Sequence, residues 1–241
     1  MVDNNGKKSL LTELNRLRGE ALGLMGIIVS LIVKWDDFAA LYRLDPFQFI
    51  LALLLALFAV SWFYGFYKAG LKEQQWLEKY LEPDSVPSLG IGTYVVVFLL
   101  AVSFVLLVYF SDHILYYSAS LTILCLLDLW SGFLVYSKIR AALIKTMCDS
   151  KSGFRKSASR ILDKYYFGNP WPHRVATTML LDAVAFMFAY QSAETNGASA
   201  SASRITAYVV ILVANILSAS LQSYWRYCAS KALNRLGAEG K

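Results

Sequence analysis

A chain of 241 residues that is 57% hydrophobic and only 17% charged, with a mean hydropathy of +0.46, lies outside the range of soluble domains of its size. Its 15% aromatic content, 14 Gly and 5 Pro exclude disorder, collagen and Pro-rich fibres. The net charge of +6 arises from 23 Lys and Arg against 17 Asp and Glu. The class expected is an all-α, polytopic integral membrane helix bundle of about six transmembrane helices.

Residues 1–20 form a polar segment, expected in the cytoplasm. Ala21 to Val33 follows as 13 apolar or small residues, as short as a signal-peptide core. Lys34, Trp35, Asp36 and Asp37 come next, with no small-x-small triplet for cleavage, so the run reads as an uncleaved first span. About 20 apolar residues cover the roughly 30 Å of hydrocarbon. Phe47–Tyr67, Leu89–Phe110, Ile114–Tyr136 and Ile205–Trp225 meet that length; Val175–Tyr190 is shorter and contains an acid. The organisation expected is spans one to four over 21–136, with a helical cytoplasmic loop at 68–88, then a basic cytoplasmic loop at 137–174. Spans five and six occupy 175–225, and 226–241 is a cytoplasmic tail.

Basic residues are retained on the cytoplasmic side of membranes. With both termini inside, 20 of the 23 fall there, and only Lys34, Arg43 and Arg204 lie outside, each close enough to a helix end to snorkel to the interface. Aromatic residues gather at expected interfaces: Trp62, Tyr64 and Tyr67; Tyr116 and Tyr117; Trp171; Tyr224, Trp225 and Tyr227. None of Cys125, Cys148 and Cys228 is on the outer side, and no Asn-x-Ser/Thr sequon occurs. A bacterial inner membrane suits both observations.

The outer connections are short: Trp35 to Pro46, the turn Ser111-Asp112-His113, and a Ser/Ala-rich turn from Ser192 to Ser203. On the inner side, Leu71, Trp76, Leu77 and Leu81 share one face of a helix that ends at Pro83 and Pro87. The long loop continues the fourth helix, breaks at Ser152-Gly153, resumes, and stops at a breaker spanning Gly168 to Pro172.

Ionisable groups at membrane depth are costly and point by default to function. There are two, Asp128 and Asp182. Ser118, Thr122, Cys125, Asp128 and Ser131 step by four and three along one side of a helix. Thr178 precedes Asp182 by one turn, and Asn215, Ser218 and Gln222 make a third polar stripe. No Lys or Arg lies within a span, so each acid must be protonated, hydrogen-bonded, or paired with water or a mobile cation. The expected site comprises Asp128, Asp182, Asn215, Thr178, Ser131 and Gln222. It would move or sense a small cation or proton; the bland reading is that the same groups only lock helices together.

A second expected surface is the basic loop, where Lys151, Arg155, Lys156, Arg160 and Lys164 would meet anionic lipid headgroups or a cytosolic protein partner. Positive-inside bias alone generates such a loop, so nucleic acid is not expected. Two histidines, His113 and His173, cannot build a metal site or a midplane nucleophile-base pair, and Gly90-x-Gly92 lacks the rest of a nucleotide fingerprint. The chain therefore reads as a non-enzyme without cofactors. Small-x-x-x-small pairs at Ala52/Ala56, Ala185/Ala189 and Ala214/Ser218 favour close packing, within the chain or in a homo-oligomer. The alternative function is a non-transporting sensor or scaffold that recruits a partner through the basic face, as in signalling or defence.

Overall fold

The computed structural model describes residues 22–81, 91–167, 170–195 and 197–239. The N-terminal segment 1–20, Pro83 and Pro87 lie outside the described residues. The described chain is 94% helical, with no strand among its residues. In chain order the helices are α1 (Leu22–Val33), α2 (Trp35–Leu44), α3 (Pro46–Tyr80), α4 (Ile91–Tyr109), α5 (Ile114–Ser131), α6 (Ser137–Asp149), α7 (Gly153–Leu162), α8 (Pro170–Glu194) and α9 (Ala198–Glu239). Two π-helical segments, Gly132–Tyr136 and Asp163–Phe167, follow α5 and α7.

Among the described residues four helices are long and apolar enough to cross a membrane: Pro46–Tyr80, Ile114–Asp149, Val175–Glu194 and Ser199–Ala238. These match four of the expected spans. At 12 residues, α1 rises only about 18 Å, whereas α4 has 19 residues, with Phe98–Tyr109 as its described apolar run. Both helices are packed into the same bundle, α1 against α4, and α4 against both α3 and α5. Gly26 permits the first contact, since a Cβ there would stand 2.6 Å from Val105 Cγ2. Trp62, Phe63 and Phe66 of α3 surround the Phe104 ring of α4 at centroid distances of 5.8, 5.5 and 6.0 Å.

The most extensive helix pair is α8 with α9, and small residues line it. Val175, Thr178, Asp182, Ala185, Ala189 and Ser192 form the buried stripe of α8, and Ala200, Ser203, Ala207, Ile211, Ala214 and Ser218 that of α9. Small side chains at three-four spacing let the two backbones approach. Ala52 and Ala56 are likewise buried, against Phe38. All three small-residue pairs are thus used within the chain.

Several connections are more helical than their composition suggests. Trp35–Leu44 is a helix, with Asp36 and Asp37 in its first turn and Arg43 in its last, the charge order that complements the helix dipole. Phe38 anchors it edge-on to Phe49. Pro170, Trp171 and Pro172 open α8 instead of standing in a breaker, consistent with proline's tolerance in a first helical turn. Most of the Ser192–Ser203 stretch belongs to α8 and α9, and Gly197, just before α9, stands at φ +73°. The break before Gly153 occurs where expected, and Ser152 caps α7 by accepting from the Arg155 N–H.

Three rods are longer than a membrane is thick, and their surplus lies at the same end. Pro46–Tyr80 has 35 residues, Ile114–Asp149 has 36 and α9 has 42. At 1.5 Å per residue they measure about 52, 54 and 63 Å against roughly 30 Å of hydrocarbon. Their excess carries the Lys and Arg-rich sequence, so the molecule has a basic pole. There Trp76, Leu77, Tyr80, Leu143, Leu162, Phe167, Ala229 and Leu233 form a second apolar core. Residues 153–167 are therefore folded onto the protruding ends of the rods. We expect Leu162→Ala, at a fully buried position, to cost about 2–5 kcal/mol. Denaturant unfolding should register it, with proteolysis opening first near 150–167; an unchanged midpoint would show that this pole is not a packed unit.

At the opposite pole the side chain of Lys34 is 7% exposed and does not snorkel into solvent. Its Nζ lies 2.8 Å from Asp37 Oδ2, 3.0 Å from Asp112 Oδ2 and 4.8 Å from the Tyr109 ring centroid. This clamp joins the α1–α2 junction to the α4–α5 turn, where His113 Nε2 also stands 3.5 Å from Asp112 Oδ2. Burial alone would lower the Lys34 pKa, but hydrogen bonds and charges from Asp37 and Asp112 hold it above 10.5. The same Lys34 contact keeps Asp37 below 3.8. The lysine's contribution is complete below pH 10.5 and is lost as pH rises through its folded value. That of Asp37 is complete above 3.8 and is lost as pH falls through its folded value. The stability difference between wild type and Lys34→Met should accordingly be flat from about pH 5 to 9 and shrink on both sides. A difference independent of pH in detergent thermal melts would rule out the clamp.

Candidate functional site

Asp182 sits at the centre of α8, on the stripe wedged between α5 and α9, and is 1% exposed. Its partners come from α5, one turn apart on the same face. Ser118 Oγ donates to Oδ1 at 2.7 Å, and Thr122 Oγ1 donates to Oδ2 at 2.5 Å. Both are in the range of charge-assisted O–H···O bonds. Among the described residues no Lys, Arg or His forms an ion pair with Asp182.

Each hydroxyl also has a second acceptor. Thr122 Oγ1 lies 3.1 Å from the Ser118 carbonyl oxygen, and Ser118 Oγ lies 3.5 Å from the Asp182 carbonyl oxygen. A hydroxyl has one hydrogen to donate and lone pairs to accept with. With Asp182 ionised, both hydroxyls point at the carboxylate. With Asp182 protonated, its O–H can donate to Thr122 Oγ1 while the threonine hydrogen turns to the Ser118 carbonyl. Both protonation states are thus accommodated by turning hydroxyl hydrogens, with no heavy atom displaced.

Tyr117, adjacent to this pair on α5, is wholly buried, and its hydroxyl faces the Asn215 amide of α9 within electrostatic reach of Asp182. The Tyr117 hydroxyl and the Asn215 amide face each other, but among the described residues neither makes a hydrogen bond of good geometry. Unused donors and acceptors at such depth cost about 1–3 kcal/mol each. They give the Asp182 site spare capacity to hold a ligand through oxygen and amide groups.

The remaining sequence candidates divide by depth. Thr178 is 2% exposed and engaged, one turn before Asp182 on α8. Asp128 is half-buried and engaged, six residues beyond Thr122, or about 9 Å of helix rise toward the basic pole. Ser131, buried, ends α5, and Gln222 lies half-buried about 10 Å beyond Asn215 on α9. Two levels of polar groups result, with Asp182, Ser118, Thr122, Tyr117 and Asn215 at the upper one. Tyr117 is the residue that sequence reading misplaced, by assigning it to an interfacial belt. Its phase was informative: Tyr117, Leu121 and Leu124 keep the three-four spacing of a buried stripe, whereas Tyr116 is exposed.

On the basic loop, Ala158, Ser159 and Leu162 turn inward while Lys151, Arg160 and Lys164 are exposed. Arg155 is half-buried and engaged, and Lys156 Nζ donates to the Cys148 carbonyl at 3.3 Å. Arg140 Nε pairs with Asp163 at 2.8 Å. Beneath them Tyr166 donates to Glu73 Oε1 at 2.5 Å; burial, reinforced by the Glu73 charge, holds its pKa well above the ordinary value of 10.0. The three thiols are free, and the described residues contain no cluster of three or more His, Cys, Asp or Glu side chains suited to a metal.

No protein-family model, curated protein or solved structure matches this chain. The site must be argued from its own geometry. Asp182→Leu strands the Ser118 and Thr122 hydroxyls, whereas Asp182→Asn retains an acceptor. We expect the leucine variant to be less stable than the asparagine variant by about 1–3 kcal/mol in detergent unfolding. Equal stabilities would indicate that the two hydroxyls have relaxed onto their backbone acceptors.

Proposed function

We propose that this is a non-enzymatic, multi-pass membrane protein, with both termini in the cytoplasm, that moves or senses a proton or small cation through Asp182. The observation that carries the reading is the paired hydroxyl arrangement at Asp182. A buried carboxyl with no basic partner, held by two hydroxyls that each possess a second acceptor, can gain or lose a proton by reorienting hydrogens. Helix glue needs only one such bond. Tyr117 and Asn215 supply neighbouring polar atoms for the next step, and Asp128, about 9 Å of rise nearer the basic pole, supplies a second carboxyl in that direction.

A small cation is served by the same oxygens, since Asp182, Ser118, Thr122 and Asn215 offer hard donors. Reconstitution into liposomes with proton and monovalent-cation flux measurements tests the proposal. Wild type should conduct or exchange one of them. Asp182→Asn should reduce flux at least about 100-fold while expression is preserved, because Asn keeps the volume and cannot exchange charge. Wild-type flux in an Asp128→Asn, Asp182→Asn double variant would remove this reading.

A second reading is favoured by the three protruding rods and the packed helices on them, which present exposed Lys151, Arg160 and Lys164. In that reading the basic pole docks anionic lipid or recruits a cytosolic protein, and the bundle is its membrane anchor. The apolar face of α7 is already committed to the protein, so such docking is electrostatic. Binding to anionic vesicles should fade between 0.1 and 1 M salt, over which the Debye length falls from about 10 to 3 Å.

A further inference from the structure

At the pole opposite the basic helices lies a cavity of about 490 Å³, bounded by the start of α5, the far end of α8, α2 and the first turns of α3 and α9. Its charged lining is divided between two walls. On one side Lys34 pairs with both Asp37 and Asp112, and His113 of the lining stands 3.5 Å from Asp112 Oδ2, so with the imidazole neutral two carboxylates share one cation. Asp112 is nine-tenths buried, and while its Oδ2 receives Lys34, its Oδ1 has no hydrogen-bond partner. On the other side Arg204 donates one hydrogen bond, from Nη1 to Gln48 Oε1 at 3.0 Å, and has no acid within ion-pair distance among the described residues. A guanidinium carries five N–H donors, so most of this one remains uncommitted.

Asp37 and Asp112 on one wall and Arg204 on the other therefore face one cavity without pairing with each other. A simple anion would meet the two carboxylates, and a simple cation would meet the arginine. A ligand carrying both signs matches both walls, and Leu41, Leu44 and Leu115 of the lining accept a carbon linker. We propose that this cavity binds a small zwitterion. Its ammonium group lies against Asp37 and Asp112, and its anionic oxygens lie on Arg204. The chemistry is that of a phosphoethanolamine group. It can arrive as a phospholipid headgroup, because the cavity lies at the ends of the apolar helices α5 and α8, or as a free solute from the aqueous side. The inference is independent of the Asp182 reading.

The full-length protein is tested in two arms. In the first, phosphatidylethanolamine is titrated into phosphatidylglycerol nanodiscs containing the protein, and retained lipid is read by native mass spectrometry. In the second, glycerophosphoethanolamine is titrated into detergent-solubilised protein, and the thermal shift is read. Saturable binding in at least one arm is expected, weakened about tenfold or more by Arg204→Gln and by Asp37→Asn. Both side chains reach solvent, and both variants leave the Lys34–Asp112 pair intact, so folding is retained. Retention of the lipid alone assigns the headgroup; binding of the solute alone, or of both, assigns the phosphoethanolamine group itself. Absence of saturable binding in both arms, or binding that neither variant alters, overturns the proposal. Asp182→Asn should bind as wild type does, which separates failure here from failure of the flux reading.

Discussion

The hydrogen bonds from Ser118 and Thr122 to Asp182 fix the relation of α5 to α8, and much of the bundle depends on that register. A carboxyl at this depth has no water to fall back on, so sliding α8 by one turn would expose it to hydrocarbon at a cost of several kcal/mol. Once α8 is set, its row of small residues brings α9 close, and α9 in turn places Asn215 beside Tyr117. Apolar packing around Phe104 and Leu121 supplies cohesion but little positional information, because one leucine is as welcome as another along such a surface. Polar pairing in the bundle thus sets position, and apolar contact sets strength.

The two poles solve opposite problems. At the basic pole, like charges accumulate, and the helices there are held by an apolar core with the cations turned outward. At the other pole Asp36, Asp37, Arg43 and Asp45 stay exposed while one cation is drawn inward, with Lys34 placed between carboxylates beneath an aromatic ring. Tyr208 reinforces that end by donating to the carbonyl oxygens of Ser111 and Asp112, both at 3.3 Å. A buried ion pair adds little net stability over an apolar pair of equal volume, yet breaking it by removing one partner is expensive. The clamp is therefore better understood as a constraint on where α1 and α2 sit than as a source of cohesion.

Much of this was legible in the sequence because the membrane penalises polarity. Asp182 and Thr178 stood out by residue type alone, and the four-residue step from Ser118 to Thr122 already placed two hydroxyls on one helix face. What sequence could not decide was which stripe meets which. Asp128 belongs to the same stripe as Thr122, and only the packing of α5 on α8 shows that Asp182, not Asp128, receives those hydroxyls. Lys34 was misread for a related reason: a lysine at a helix end ordinarily reaches solvent, and the carboxylate that retains it, Asp112, is 78 residues distant. The 35–44 segment looked like a loop because its length is short and its composition mixed, although Asp36, Asp37 and Arg43 already carried the charge order of a helix.

The unbroken run of α9 has a mechanical consequence. From Asn215 to Glu239 the helix continues for 24 residues, about 36 Å, without a proline or a π-helical interruption. Such a rod behaves as a lever whose fulcrum lies at the level of Asp182. A tilt of about 5° there, no more than a side-chain repacking can produce, carries the far end through about 3 Å. Leu233 and Ala229, which seat the helix in the basic-pole core, ride on that arm. Any tilt of α9 about that level is thereby converted, by leverage alone, into a displacement at the basic pole comparable to the reach of a side-chain contact.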